Sequence, residues 1–435
     1  MPTIITFLND KGLREGAVYR WQGNDYPVGA FVLALRQFVK HDRMLACSTP
    51  EAEHNTWPAL AELHDPRIEL VSISKGETTA ELWEIFDRVT ARVHEGESVI
   101  FDITQGLRSL PFLVFLFAAY LASAKRVVIE AVYYGALEMG SPAPVLDLSE
   151  FTRMLEWITA TDAFTQTGDA RRLANLLTAG GPGLAAQASR ALSQVSRAAS
   201  LCQPFTLMRD ARSLDRILRE AQPDLANKAH PFGLLREQIA GAFSAFGAEP
   251  ASDFQGAIRS EFKLIQWYYQ NGQLIQAMSL AREWLIDAAT WRLGRPFDLT
   301  RETRKRMEEA LSGLPKVGGP HPQSDRKFLP TDLNEFGRTI YDTWEEKDLL
   351  TRLWTALQDV RNGLDHAEHQ KNPLPLKTIQ KKVDSEIMPH LCELANRWTL
   401  DRPPSGANTT QQNDHSTGSS PGKRRPIDGE DHVAR

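Results

Sequence analysis

The sequence predicts an α/β Rossmann-like N-terminal domain, then an all-α linker, then a second all-α domain. Three observations carry that prediction. Short runs rich in β-branched and aromatic residues alternate with helical stretches over residues 1–150. Strand signals then nearly vanish, and helices rich in alanine, arginine and leucine continue to about residue 400. The last stretch has no hydrophobic period. The expected boundaries are 1–150 for the sheet domain, 151–255 for the helical linker, 256–400 for the second helical domain and 401–435 for a disordered tail.

Taken in order, the strand signals are "TIITFL", "RMLACS", "RIELVSI", "ESVIFDIT" and "RVVIEAVYYG". Between them "PVGAFVLALRQFVK", "TTAELWEIFDRVTARVH" and the apolar stretch "LPFLVFLFAAYLASA" have helical spacing. A strand–helix alternation of this kind predicts a largely parallel sheet with helices on both faces. The apolar stretch is too short for a membrane span, so it reads as a helix buried inside the α/β domain. Beyond residue 151, "DARRLANLL", "LAAQASRALSQVSRAASLC", "ARSLDRILREAQ" and "GLLREQIAGAFSAF" read as helices, broken by "TAGGPG", Pro223 and Pro231. From Phe254 two helices flank a turn at Asn271 and Gly272; two or three more follow a Gly/Pro-rich loop, "SGLPKVGGPHPQSDRKFLP".

Composition narrows the function classes. The formal net charge is -5, so nucleic-acid binding would require a local patch. Cys47, Cys202 and Cys392 form no C-x-x-C pair and predict reduced, buried thiols rather than a disulfide framework or zinc site. The N-terminal "MPTIITFLNDKG" lacks the basic and apolar regions of a signal peptide, which predicts a cytoplasmic chain with no membrane association.

The sharpest local signal is "FDITQGLRSLPF", Phe101 to Phe112. A buried strand ends at Asp102–Thr104, a glycine follows at Gly106, and a helix opens with Pro111 in its first turn. In an open parallel sheet the ligand site lies at the carboxyl ends of the strands, where free backbone N–H groups can hold phosphate oxygens. Thr104 and Ser109 offer hydroxyls, Gly106 permits close approach, and Arg108 can neutralise a phosphate or stack on a base. The same residues also describe a plain helix start, with Ser109 as cap and Asp102 bracing the turn. A second polar loop after the first strand, Asn9, Asp10, Lys11 and Gly12, faces the same crevice and favours a ligand. No dinucleotide fingerprint or phosphate-binding P-loop is present.

Near the C-terminus, "DVRNGLDHAEH" places Arg361 and His366 four intervening residues apart. With 35 arginines and 11 histidines the spacing arises by chance. Allowing four to six intervening residues, Arg36 with His41, Arg88 with His94 and Arg425 with His432 match as well. By its residues alone the stretch equally describes a hydrophilic helix end with histidine near the negative pole of the helix dipole.

"SVIFDITQGLRSLPFLVFLFAAYLA", with "ITFLNDKG" and "AMSLAREWLIDAA", resembles the CRISPR-associated CARF-HEPN ribonucleases of type III systems, over about residues 1–400. The resemblance implies a CARF sensor domain that binds cyclic oligoadenylate, most simply cyclic tetra-adenylate, through Asn9, Asp10, Lys11, Gly12, Asp102, Thr104, Gln105, Gly106, Arg108 and Ser109. Gln105 stands where histidine is common in relatives, and the "LNDKG" loop is less glycine-rich than theirs; both bear on the ring size of the ligand. It also implies a HEPN domain cutting single-stranded RNA with Arg361, Asn362 and His366, supported by Arg282 and Glu283. Among the four spacing matches only "RNGLDH" lies in the C-terminal helical block.

The residue types suit cleavage without metal. Histidine titrates near neutrality and can activate the 2′-hydroxyl or protonate the leaving group, and arginine presents a charged fork to phosphate oxygens. The expected products carry 2′,3′-cyclic phosphate ends. No cofactor and no metal are expected, the expected partners are cyclic oligoadenylate, single-stranded RNA and a second copy in a homodimer, and DNA is not expected. Arg361 and His366, five apart, do not meet on a regular helix. Either Gly363 breaks the helix, or two protomers each supply a pair; the resemblance implies the latter. The competing expectations are a sensor whose helical domain recruits a partner without cutting, and an enzyme acting on a small nucleotide in the sheet domain.

Overall fold

The structure is a computed structural model and describes residues 1–104, 110–178, 182–225, 230–298, 300–365, 369 and 373–401. The chain divides into two compact units. The first comprises Met1–Asp253 with Lys263–Leu280, and the second Phe254–Phe262 with the chain from Ala281 onward.

The first unit opens with an eight-stranded sheet. In chain order its elements are β1 (Thr3–Phe7), β2 (Val18–Trp21), β3 (Asn24–Pro27), α1 (Phe31–Phe38), β4 (Arg43–Ser48), α2 (Pro50–Asn55), α3 (Trp57–Ala61), β5 (Ile68–Ser72), α4 (Thr79–Ala91), β6 (Ser98–Asp102), α5 (Leu110–Ala124), β7 (Val128–Gly135) and β8 (Ala143–Asp147). The strand order is β3-β2-β8-β7-β6-β1-β4-β5. The five strands expected from sequence pair in parallel as β5-β4-β1-β6-β7, so the Rossmann-like layout is present. β8 pairs antiparallel with β7 and parallel with β2.

Alternation along the strands produces two cores. Ile5, Phe7, Leu45, Cys47, Val99 and Phe101 point to the face covered by α4 and α5. Their neighbours Ile4, Met44, Ala46 and Ile100 point to the face covered by α1, α2 and α3. The sheet is therefore covered on both sides, as its near-continuous apolar strands require.

The β2–β3 hairpin and β8 were not legible in the sequence. β2 and β3 have four residues each, and β3, "NDYP", is polar. Their two-residue turn places Gln22 and Gly23 at φ of 49° and 83°, the left-handed geometry that fits the twist of a hairpin.

Helices complete this unit: α6 (Ser149–Thr167), α7 (Arg171–Thr178), α8 (Leu184–Ser200), α9 (Pro204–Leu225) and α10 (His230–Ser244). Pro223, expected to break a helix, lies inside α9 near its end, where only the last turn loses a backbone bond. α11 (Phe254–Gln270) and α12 (Leu274–Arg292) flank the expected turn at Gly272, and the division between the units falls within both.

The second unit adds α13 (Arg301–Gly313), α14 (Glu335–Thr343), α15 (Lys347–Asp365), α16 (Leu376–Lys382) and α17 (Met388–Arg397), with a π-helical turn joining the last two. α13 was missed: "RETRKRMEEALSG" is highly charged, and only Met307, Ala310 and Leu311 mark its buried face. Burial of the cysteines differs from expectation. Cys47 is buried, its thiol pushed up to about 12 by desolvation, whereas Cys202 is half-buried and Cys392 exposed. Among the described residues no helix is long and apolar enough to cross a membrane.

Candidate functional site

The parallel strands wind outward in both directions from β1 and β6, so these two neighbours form the topological switch point of the sheet. There the backbones leaving the strands part. Past β1, the Leu8 amide donates to the Cys47 carbonyl of β4 at 2.8 Å; past β6, the Ile103 amide donates to the Tyr133 carbonyl of β7 at 3.0 Å. The divergence opens a crevice at the carboxyl ends of the strands, the ligand position of open α/β sheets.

Its floor is Thr6 and Asp102, both buried. The Thr6 hydroxyl donates to one Asp102 carboxylate oxygen at 2.7 Å, and the Thr104 amide donates to the other at 2.8 Å. Burial pushes the Asp102 carboxyl up to about 6, against the pull of these hydrogen bonds. The Thr104 hydroxyl oxygen accepts from the Gly135 amide at 2.8 Å, tying the β6 exit to the end of β7. Thr6 was absent from the expected site residues, although a threonine inside an otherwise apolar strand is the signal that could have found it.

The loop that leaves β1 is a tight turn. The Lys11 amide donates to the Asn9 side-chain oxygen at 2.6 Å, and the Asn9 amide group donates to the Gly12 carbonyl at 3.0 Å. Gly12 has a φ of 80°, and a Cβ there would sit 3.2 Å from the Asn55 carbonyl oxygen, so the turn requires glycine. Asn55 donates to the Asp10 carbonyl at 2.6 Å, Thr56 donates to the Asn9 carbonyl at 2.5 Å, and the Thr49 hydroxyl donates to the Asp10 carboxylate. Thr49 also caps α2, accepting from the Ala52 amide. Asn9 and Asp10 thus shape the loop, the Lys11 side chain is exposed beside it, and Thr49, Asn55 and Thr56 are supports that the motif reading passed over. Gln105, Gly106, Arg108 and Ser109 lie outside the described residues.

In the second unit, Arg361 and Asn362 occupy the last turn of α15, Arg361 half-buried and Asn362 exposed. α15 packs its buried Leu353, Trp354, Leu357 and Val360 against α13, α16 and α17. The helix continues through Gly363 to Asp365, so of the two alternatives the local break at Gly363 is not there. His366 lies outside the described residues.

Two competing spacing matches are structural. Arg36 pairs with Asp65 at 3.1 Å, while His41 is buried with a ring nitrogen 3.0 Å from the Val39 carbonyl. Arg88 donates to the Ser72 carbonyl at 2.7 Å and pairs with Glu84 at 2.5 Å. Arg425 and His432 lie outside the described residues.

Arg282 and Glu283 join a network between helices. Arg282, only 11% exposed in its side chain, donates to Glu283 at 2.7 Å and to Glu308 of α13. Its guanidinium lies 5.2 Å from the centre of the Trp354 ring, seven residues before Arg361 on α15. Arg304 of α13 donates to Glu283 and, at 2.5 Å, to Asp287. Burial pushes Asp287 up to about 6 and Glu261 well above the usual carboxylate range. Arg282 and Glu283 therefore brace α15 from a distance, two helical turns from Arg361.

A sequence profile of the family described as CRISPR-associated protein MJ1674, second domain, matches residues 153–248, from within α6 to just past α10. CRISPR-associated protein MJ1674 of Methanocaldococcus jannaschii is 33% identical over 112 residues, which make up 24% of this chain and 18% of that protein. Among solved structures, Csm6 of Enterococcus italicus, bound to cyclic hexa-2′-fluoro-hexa-dAMP, aligns over 93% of this chain and 96% of its own, with a TM-score of 0.42 and 9% identity. The similarity to CRISPR-associated protein MJ1674 is thus confined to the central helical segment of this chain and to less than a fifth of that protein's length.

Proposed function

We propose that this chain is a metal-independent, single-stranded endoribonuclease of type III CRISPR defence, switched on by cyclic oligoadenylate bound at its sheet domain. The observation that carries the reading is the crevice at the β1–β6 switch point, walled by the Asn9–Gly12 turn and floored by Thr6 and Asp102, in a chain with a CRISPR-associated central segment. The adjoining segment 105–109 supplies Arg108 and Ser109 for the ligand phosphates, and Gln105 for a base.

In the helical domain the cutting residues are Arg361, Asn362 and His366. His366 moves the proton at the attacking 2′-oxygen or the departing 5′-oxygen, Arg361 steadies the charge on the phosphorane, and Asn362 orients the phosphate. Because α15 stays helical through Gly363, positions 361 and 366 of one regular helix would point about 140° apart. A composite site built from two protomers brings arginine and histidine onto one phosphate, and a two-fold ligand suits the same symmetry.

The test is cleavage of a labelled single-stranded RNA in EDTA by wild type and His366→Ala, without ligand and with cyclic tetra- or hexa-adenylate. Cutting by wild type with one ring, lost in the variant and leaving 2′,3′-cyclic phosphate ends, is the expected result. Tight binding of a ring without any cutting would overturn the nuclease reading and make the helical domain a recruiter.

A further inference from the structure

In the second unit the Gly/Pro-rich loop between α13 and α14 folds back on itself. The Gly318 amide donates to the Phe328 carbonyl and the Phe328 amide to the Gly319 carbonyl, both at 2.8 Å. The His321 ring stacks on Phe328, with 5.5 Å between centres. Between this loop and α13 lies a cavity of about 470 Å³, within the range of about 300–1,000 Å³ that small-molecule sites occupy.

Most of the polar side chains lining it are engaged elsewhere. Asp332 accepts from Arg326 at 2.5 Å on each carboxylate oxygen, and Glu308 accepts from Arg282. Asn334 uses both ends of its amide, accepting from the Gly337 amide at 2.9 Å and donating to the Arg306 carbonyl at 2.7 Å. Among the described residues, Glu309 and Lys305 remain for a ligand, both exposed and 3.7 Å apart, together with the exposed Lys316. Ser312 accepts from the Trp354 indole at 3.2 Å and keeps its own hydroxyl proton to give.

We infer that this cavity takes a guanine nucleotide of the single-stranded RNA, with Glu309 and Lys305 reading the base, Phe328 stacking on it and Lys316 meeting its phosphate. The inference rests on the ribonuclease reading above and adds a base preference to it.

The free side chains select the ligand. Single-stranded RNA is recognised through bases that stack on aromatic rings and form hydrogen bonds along their edges. The guanine edge offers two adjacent donors, at N1 and N2, and one acceptor, O6. A carboxylate beside an ammonium is its complement, since Glu309 can accept from both donors while Lys305 donates to O6. Adenine and cytosine place an acceptor where the carboxylate needs a donor, and uracil has a single N–H between two carbonyls. Position agrees with substrate. Trp354 and Arg361, seven apart on α15, share one helix face and stand about 10 Å apart along its axis. The cavity adjoins that face through Ser312, so a strand gripped there by one nucleotide can carry a neighbouring phosphate toward Arg361.

Fluorescence anisotropy tests this on labelled uridine tracts carrying one guanosine, inosine or adenosine. They are titrated with the full-length His366→Ala chain, so that nothing is cut, without ligand and with cyclic tetra- or hexa-adenylate. The guanosine RNA should bind at least fivefold more tightly than the adenosine RNA, with inosine, which lacks the N2 amino group, between them. Adding Glu309→Gln should remove the preference and leave affinity for the adenosine RNA unchanged, whereas Phe328→Ala should weaken all three alike, each with unchanged far-UV circular dichroism. Should Phe328→Ala misfold, Glu309→Gln, at an exposed position, decides. Equal affinity for the three RNAs, no binding of any, or a preference that survives Glu309→Gln overturns the guanine site. Wild-type cleavage measured alongside separates the two readings: cutting without a guanine preference in binding sinks the site alone, and a guanine preference without cutting under either ring sinks the ribonuclease reading and keeps the site.

Discussion

The strand-end crevice and the helix-end motif of this protein are held in place by different means. Asp102 closes a strand with parallel partners on both sides, and its two carboxylate oxygens are engaged by Thr6 and Thr104. Arg361 and Asn362 sit on the last turn of a helix fixed by its inner face, through Trp354, Leu357 and Val360. The crevice residues are therefore part of the architecture, while the motif residues are carried by it. Substitution should cost stability at the first site and chemistry alone at the second.

The largest expected effect sharpens that contrast at the helix end. Arg361→Ala should lower ligand-stimulated RNA cleavage by at least about a hundredfold, the scale of losing one charge-stabilising group in a transition state. Unfolding in urea should shift by less than about 1 kcal/mol, because the side chain lies only half-buried at a helix terminus. Cleavage that survives the substitution would remove Arg361 from the chemistry. A large loss of stability would make it an architectural residue like Asp102.

At the crevice the expected effect is on stability, and pH reveals it. The Asp102 carboxyl is raised to about 6 by burial, so the folded protein holds this proton through a range where the unfolded chain has released it. The sign follows: the contribution is fully present below the ordinary carboxylate value near 4, and is lost as pH rises toward 6. Asp102→Asn removes the titration while keeping the size of the group. Between pH 4 and 6, wild type should therefore lose about 2 kcal/mol of stability relative to the variant. Taking the difference cancels the opposite contributions of Asp65 and Asp332, whose carboxyls arginine partners hold low. Parallel pH curves for the two proteins would mean that Asp102 ionises as if in water, and the crevice floor would then not be the dry, architectural one described above.

How far the two sites could be read from the sequence follows the same division. β4 spans the six residues Arg43–Ser48 that its pattern marks, and the parallel order around β1 and β6 follows from strands that are apolar on both faces. Local composition carries that information, because burial on two sides leaves no room for polar residues. Where burial is partial the signal fails: β3 is nearly all polar, and α13 hides the buried apolar side chains of Met307, Ala310 and Leu311 among charges. The crevice was legible at Asp102 and Thr104 because a strand end announces itself. Thr49, Asn55 and Thr56 were not, since they reach the Asn9–Gly12 turn from residues some forty positions away. At the helix end the sequence held the candidate residues but not the state of the helix, because glycine permits a break without requiring one.

Gly363 turns that last point into the smallest of the three tests. A Cβ at Gly363 would stand 3.5 Å from Leu374 and 3.7 Å from Ile379, ordinary contact distances, and no left-handed φ requires glycine there. Alanine should therefore fit, and by restricting the unfolded chain it should raise stability by up to about 1 kcal/mol. If the active form keeps α15 helical, as in the composite site, Gly363→Ala should cleave RNA at close to the wild-type rate. If activation instead unwinds the last turn to bring residues 361 and 366 of one chain together, the same substitution should stabilise the resting helix and slow ligand-stimulated cleavage by up to about fivefold, the rate equivalent of about 1 kcal/mol. Measuring stability and rate on this one variant separates a glycine kept as a hinge from one that the helix does not require.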